Sequence, residues 1–281
     1  VTVERLSKDE RDRLEEFSRI VRQAQRELAN RIQTATRAGD LDTASRRRVQ
    51  LARVADILDE LGAEIDPRAR RIVRDAYQRG AVEAARQMTG IGVPPGGPAT
   101  VSFNGVSAEA VETLQDAIVG RLDESRTYIG RQTRDMFAKA GRRAALLAVV
   151  GVDGTPAAAK RRMAADLLRD REPGSRRTWS LDDYCSMAVQ TVTREATVQG
   201  AIARMTTNGI ALARVSSHSG ACATCQQYEG RLVDLGSGIT EHEGEAVMSG
   251  PVPPYHPRCR HSLGAVAVRI DEIRRELAGS A

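Results

Sequence analysis

"SLDDYCSMAVQTVTREATVQGAIARMTTNGIALARVSSHSGACATC", Ser180 to Cys225, changes its period halfway. Up to Thr207 the apolar residues Leu181, Tyr184, Ala188, Val192, Ala196 and Ile202 fall on one face of a helix. Ser180 with Asp183 three residues on is a capping-box signature, so the helix is expected to start here and run to Gly209. From Ile210 the pattern becomes short extended pieces, "IALARVS", "RLVDL" and "SLGAVAVR", separated by turn-rich segments. The stretch therefore joins a helical chain to a small α+β tail, which a helix from Asp271 to Leu277 is expected to close.

Upstream the helical signal is sustained. Leu14, Phe17, Val21, Ala24 and Leu28 alternate steps of three and four, which lines one helix face and calls for a partner. A second stripe, Val54, Leu58, Leu61 and Ile65, leads to "IDPRARR", where Asp66 can cap and Pro67 can open a third helix bearing Ile72, Val73, Ala76, Tyr77, Ala81, Ala84 and Met88. "TGIGVPPGGPAT" breaks every periodicity and reads as a hinge. After it, Val111, Leu114, Ile118, Leu122, Tyr128, Ile129, Met136 and Phe137 predict a long helix, relaxed at Gly120 and Gly130. "GVDGTP" makes a turn, with Thr155 and Pro156 starting another helix, and "REPGSRRTW" is a second break. The expected architecture is mainly α: an elongated helical body with a small α+β zinc-binding module at its C-terminal end. Its divisions are residues 1–88 and 107–208 for the helices, 89–106 for the linker and 209–281 for the module.

Composition agrees. Aromatics are only 3% of the chain, so a core must come from Ala, Val, Leu and Ile, which suits close-packed helices. The charged opening "VTVERLSKDERDR" and the shortness of the longest apolar run, "AALLAVVG", predict a soluble protein with no secretory signal or membrane span. The net charge of +5 permits contact with nucleic acid, and the basic excess belongs to the helical part, because the arginines beyond Asn208 are matched by acidic residues. Arginine pairs at Arg70/Arg71, Arg142/Arg143, Arg161/Arg162 and Arg176/Arg177 lack interleaved aromatics and read first as solvated helix faces.

Three of the four cysteines gather in the tail. Cys222 and Cys225 have the spacing that lets one tight turn aim two thiolates at a tetrahedral ion. "PPYHPRCRHS" supplies His256 and Cys259 on a second, proline-bearing turn. A Cys3His set of Cys222, Cys225, His256 and Cys259 suits zinc and would hold together a tail too small and polar to fold on its own core. His261, two residues past Cys259, is an alternative fourth ligand, and His261 and His218 are otherwise hydrogen-bonding groups around the site. His242 is expected to be exposed on the loop between the two turns, and Cys185 to pack within its helix.

Catalytic motifs fail on spacing. "EHEGEAV" has Ala246 where the second histidine of HExxH is needed, and the nucleobase deaminase signature is missing its H-x-E and its proline before the cysteine pair. A zinc-dependent nuclease or hydrolase with His218 or His261 as base is the competing reading, weakened because three thiolates damp the ion's Lewis acidity. A non-catalytic DNA-binding zinc protein is the third.

"VSSHSGACATCQQYEGRLVDL" followed by "PPYHPRCRHSLGAV" resembles the phage minor capsid protein 2 family, a relative of the phage Mu F-like head morphogenesis proteins. The resemblance is carried by His218, Cys222, Cys225, Gly230, Pro253, Pro254, His256, Pro257, Cys259, Arg260 and His261, and upstream by Trp179, Leu181, Tyr184 and Gly200. It implies a non-enzymatic, low-copy component of a tailed phage head, incorporated near the portal during procapsid assembly. The implied partners are the portal protein, the major capsid protein and packaged double-stranded DNA, with no membrane. The implied location is the virion, after assembly in the host cytoplasm.

Overall fold

The apolar stripes become helices that run further than the sequence signals suggest. The computed structural model describes residues 8–41, 43–93, 106–150, 169–171, 178–269 and 271. Its helices are α1 (Lys8–Arg37), α2 (Ala44–Gly90), α3 (Val106–Val150), α4 (Leu181–Thr207) and the one-turn α5 (Ala223–Gln226). Strands β1 (Arg169–Arg171) and β2 (Thr178–Ser180) form an antiparallel pair with Asp170 opposite Trp179. The remaining strands are β3 (Leu212–Val215), β4 (Leu232–Asp234), β5 (Glu241–His242), β6 (Glu245–Met248) and β7 (Leu263–Ala265). They form one sheet in the order β5-β6-β4-β3-β7. The protein is thus mainly α with a small mixed sheet toward its C-terminus. Among the described residues no helix is long and apolar enough to cross a membrane. Residues 94–105 of the predicted hinge, the "GVDGTP" turn with the helix after it, Arg161/Arg162, Arg176/Arg177 and the closing helix beyond Asp271 lie outside the described residues.

The predicted helix start at Pro67 is not observed: α2 passes straight through it. A proline inside a helix costs about 3 kcal/mol. The stripe explains the tolerance, because Val54, Leu58, Leu61, Ile65, Ala69, Ile72 and Ala76 keep steps of three and four across the proline and are all buried. Nor does Asp66 serve as the start of a new helix. Its carboxylate accepts two bonds from the Arg126 guanidinium, at 2.7 and 3.0 Å. That guanidinium lies over Gly62, where a Cβ would come within 2.8 Å of Arg126 Cζ. The true start of α2 is marked by Thr43, whose Oγ1 accepts from the amide of Arg46 at 3.3 Å. Likewise α3 is one uninterrupted helix through Gly120 and Gly130.

The chain folds into two compact units, each assembled from separated stretches. One comprises Arg11–Ala69 and Ile118–Ala188. Its core takes Phe17, Val21, Leu28 and Ile32 of α1, the first stripe of α2, and Ile118, Leu122, Ile129 and Phe137 of α3, all buried. Cys185 is buried here as predicted, and the Ser18 and Ser186 hydroxyls meet at 2.8 Å.

The other unit comprises Val1–Glu10, Arg70–Ala117 and Val189–Ala281. Here α2 and α4 cross backbone against backbone. A Cβ on Gly80 would stand 1.8 Å from the Thr197 carbonyl oxygen, and one on Gly200 1.9 Å from that of Tyr77. Glycine is required at both positions because only hydrogen fits the gap. Beyond the crossing, α4 ends in a Schellman turn: Ile210 N–H donates to Met205 O at 3.0 Å and Gly209 N–H to Thr206 O at 2.9 Å, with Gly209 at φ 76°. The turn drops Ile210 onto Met205 and sends the chain into β3.

The sheet has a face on that helix pair. Ala84, Met88, Val198, Met205, Val215 and Leu263 belong to one buried cluster, so the sheet shares its core with α2 and α4. Leu212, Leu232 and Val247 cluster on a second, smaller core. Central β3 is antiparallel to both neighbours, with Ala213 opposite Val233 and Ala265, while β4 and β6 run parallel. The Oε1 of Gln87 on α2 accepts from the amide of Ala265 in the edge strand β7, at 3.3 Å.

The expected loop between the two donor turns contains a hairpin instead. Glu243 and Gly244 both have positive φ (51° and 78°), the geometry of a two-residue hairpin turn, and they join β5 to β6. His242 is therefore half-buried on a strand rather than exposed on a loop. Glu245 of β6 accepts from the two terminal guanidinium nitrogens of Arg214 at 2.8 and 3.0 Å, which holds its carboxyl below the usual range. After β4, Asp234 accepts from the Ser237 amide at 2.8 Å, the Gly238 amide at 3.0 Å and the Ser237 hydroxyl. Burial works to raise its pKa, but these donors prevail and hold it low.

Gly80→Ala and Gly200→Ala are each expected to destabilise the protein by about 3 kcal/mol or more. Gly120→Ala, where a Cβ meets nothing within 4 Å, should stabilise it by roughly 0.5–1 kcal/mol. Denaturant midpoints decide, and equal shifts at the three positions would refute the close crossing. Because the Asp234 carboxyl is held below its ordinary value, its contribution is fully present above about pH 5 and fades as pH falls below about 3.9. Asp234→Ala should therefore narrow the stability gap between neutral and acidic pH, measured by thermal unfolding at both.

Candidate metal centre

Sheet topology brings the donors to one place. The end of central β3 and the beginnings of its neighbours β4 and β7 lie at the same end of the sheet. The β3–β4 connection carries the Cys222/Cys225 turn, and the chain entering β7 carries His256, Cys259 and His261. Ser216 and Ser262 clasp the two: Ser216 N–H donates to Ser262 O, and Ser262 N–H to the Ser216 hydroxyl, both at 2.9 Å.

Each turn is shaped by its own backbone hydrogen bonds. Cys222 stands at the N-cap of α5 with extended backbone (φ −72°, ψ 162°), and its carbonyl accepts from the amides of Cys225 and Gln226 at 2.9 and 3.0 Å. This folds the two thiols toward one another while Ala223 and Thr224 turn outward, both exposed. In the second turn the Pro253–Pro254 peptide is cis and Arg258 takes φ 62°. The Cys259 amide donates to His256 O at 3.1 Å. Tyr228, just after α5, and Tyr255, just before His256, stack with ring centroids 4.1 Å apart and planes 18° apart. An offset aromatic stack adds about 0.5–1.5 kcal/mol beyond area burial, so this pair fastens the two turns together.

The donors converge. His256 Nε2 lies 3.2 Å from Cys222 Sγ and 3.0 Å from Cys225 Sγ. Cys225 Sγ lies 3.9 Å from Cys259 Sγ, and Cys259 Sγ 3.5 Å from His261 Nδ1. Two overlapping groups, Cys222/Cys225/His256 and Cys225/Cys259/His261, each have their donor atoms within 4.8 Å of one another and can hold a metal ion. The four predicted ligands are divided between them: Cys222, Cys225 and His256 stand in the first, and Cys259 joins Cys225 and the alternative His261 in the second. For metal bonds of ~2.3 Å to sulfur and ~2.0–2.1 Å to nitrogen, a tetrahedron has edges of about 3.8 Å between sulfurs and about 3.6 Å between sulfur and nitrogen. The Cys225–Cys259 and Cys259–His261 separations match those edges, and the His256 pairs are tighter than them.

Electrostatics point the same way. Burial, and then the neighbouring Cys259, push the Cys225 thiol up to about 12. Thiols gathered in a buried cluster resist ionising side by side, and a cation among them is what makes the thiolates favourable. Cys222 is exposed, and the backbone amide of Cys225 lowers its pKa. Nδ1 of His256 lies 2.7 Å from Pro257 O, so that nitrogen carries the proton and Nε2, the one facing the sulfurs, carries the lone pair.

Sequence reasoning did not single out Glu229. Its Oε1 accepts from the His218 amide at 2.8 Å and lies 2.9 Å from His261 Nε2. These contacts, the His218 amide first, hold the carboxyl below the usual range. His218, Glu229 and His261 form a third group whose donor atoms lie within 4.8 Å of one another. The His218 and His261 rings are 4.4 Å apart, so His218 stands beside the thiol cluster through His261. The only sequence signal for Glu229 was its place directly before Gly230, whose amide joins the sheet through Val215 O at 3.1 Å. Tyr228 and Tyr255 were also missed, because two isolated tyrosines carry no pattern.

No curated protein and no solved structure matches the chain. The family model of phage minor capsid protein 2 matches residues 18–276, which takes in α2, α3, α4, the sheet and both donor turns. The chain belongs to the phage minor capsid protein 2 family, a family of structural components of the virion.

Proposed function

We propose that this protein is a non-catalytic, low-copy component of the head of a tailed phage, placed next to the portal during procapsid assembly in the host cytoplasm and retained in the virion. The observation that carries the reading is the family match over residues 18–276. The portal and the major capsid protein are the proposed protein partners. The arginine-rich helices, within residues 1–88 and 107–208, are the proposed contact for packaged double-stranded DNA, supported by the basic excess of the helical part. Residues 209–281 act as a docking module, and 89–106 as the linker between the helical stretches.

In this reading the module is stapled by one zinc ion on Cys222, Cys225, His256 and Cys259. The chemistry of the donors supports zinc over a harder ion: thiolate and imidazole are its preferred partners, whereas magnesium and calcium take oxygen. Bound there, zinc would supply folding energy, and three thiolates would leave it little Lewis acidity for hydrolysis. The ion would tie together the two donor turns, whose Tyr228 and Tyr255 pack against the core shared with α2 and α4.

Metal analysis of the purified full chain should give about one zinc per chain. Chelation should abolish the near-ultraviolet circular dichroism of the Tyr228–Tyr255 stack while most helical signal persists. Zinc retained after Cys225→Ser with Cys259→Ser would end the zinc assignment. For the virion role, mass spectrometry of full heads and DNA-free procapsids should find this chain in both at a low, reproducible ratio to the portal protein. Its absence from both would refute the assembly role and turn attention to nuclease assays.

A further inference from the structure

The cluster holds one imidazole too many. Three thiols and the rings of His256 and His261 fall into two groups that overlap at Cys225, five donors where a tetrahedral ion takes four ligands. A surplus donor is usually turned away by its own hydrogen bonds, but His261 is turned inward. A carboxylate can only accept, so the 2.9 Å contact to Glu229 Oε1 places the ring proton of His261 on Nε2. The lone pair is then on Nδ1, which faces Cys259 Sγ at 3.5 Å in a ring only 1% exposed. That nitrogen can accept from the Cys259 S–H, and the same inward lone pair is available to a cation that takes the proton's place.

His256 presents the same chemistry by a different route. Its Nδ1 is engaged by its neighbour's carbonyl, and Nε2 faces Cys222 and Cys225. The two rings therefore offer nitrogen ligands to overlapping pairs of sulfurs, His256 to Cys222 and Cys225 and His261 to Cys225 and Cys259, with Cys225 common to both groups. Resting on the metal reading above, we propose that His256 and His261 are interchangeable fourth ligands, and that Glu229 is the positioning residue that keeps His261 ready. Glu229 is itself fixed by the backbone N–H of His218 at 2.8 Å, a bond that does not depend on the His218 side chain.

Cobalt(II) titration of the full chain tests this, because thiolate charge-transfer and tetrahedral ligand-field bands report the ligand set directly. His256→Ala should still bind about one cobalt in a tetrahedral site, with His256→Asn as the second variant should alanine disturb the turn. In that background, Glu229→Gln should weaken binding by about 10–100-fold, the usual effect of losing a group that orients a ligand. His261→Ala should cause at least the same loss, and adding Glu229→Gln to it should cost nothing more, since both act through one ring. Loss of all binding in both His256 variants overturns the proposal, as does a Glu229→Gln effect that persists without His261. A wild-type chain that takes up no cobalt would instead remove the metal reading itself, and this proposal with it.

Discussion

The contact on which the sheet and its donor cluster depend is the crossing of α2 and α4. Two glycines, one on each helix, face the partner's backbone carbonyl with no room for a side chain. That approach sets the distance between the helices, and with it the width of the platform formed by Ala84, Met88, Val198 and Met205. The sheet is laid on this platform, and the Schellman turn at Gly209 delivers the chain to it in the right direction. A small sheet that could not bury enough surface by itself thus becomes one wall of a larger core.

From there topology does the rest. An antiparallel β4-β3-β7 arrangement necessarily puts the exit of the middle strand beside the entries of the outer two. Cysteine and histidine residues more than thirty positions apart in sequence are neighbours for that reason alone. Side-chain chemistry then refines what the backbone has brought together: two tyrosines fasten the turns, and carbonyl and carboxylate partners decide which nitrogen of each imidazole is available.

Much of this was legible in the residues. The helical stripes, the change of period near Gly209, the strands within "IALARVS", "RLVDL" and "SLGAVAVR" and the gathering of Cys and His in the tail came from pattern and spacing, and the family from the resemblance of the tail's motifs. The misreadings have a common cause: a strong local signal outweighed by something distant. Pro67 marks a helix start in isolation, but an apolar stripe that keeps phase across it makes continuation worth more than the lost hydrogen bond. The turn at Glu243–Gly244 looks like loop until its strands find the sheet. Gly80 left no trace and Glu229 only its place before Gly230, because their importance lies in what faces them, Thr197 O for the one and His261 for the other. Spacing reveals residues that act as a set along the chain, and it is silent about single residues chosen by a neighbour across space.

The bond from Ala265 to Gln87 has a consequence of another kind. A free margin of a β-sheet is adhesive, since its unpaired amides will accept any extended chain, including another copy of the same protein. Here a side chain from α2 occupies that margin at β7, and the opposite margin, β5, is only two residues long. A protein destined for a crowded shell of repeating subunits is thereby denied an easy route to polymerising on itself, and its associations are left to surfaces that can be selective.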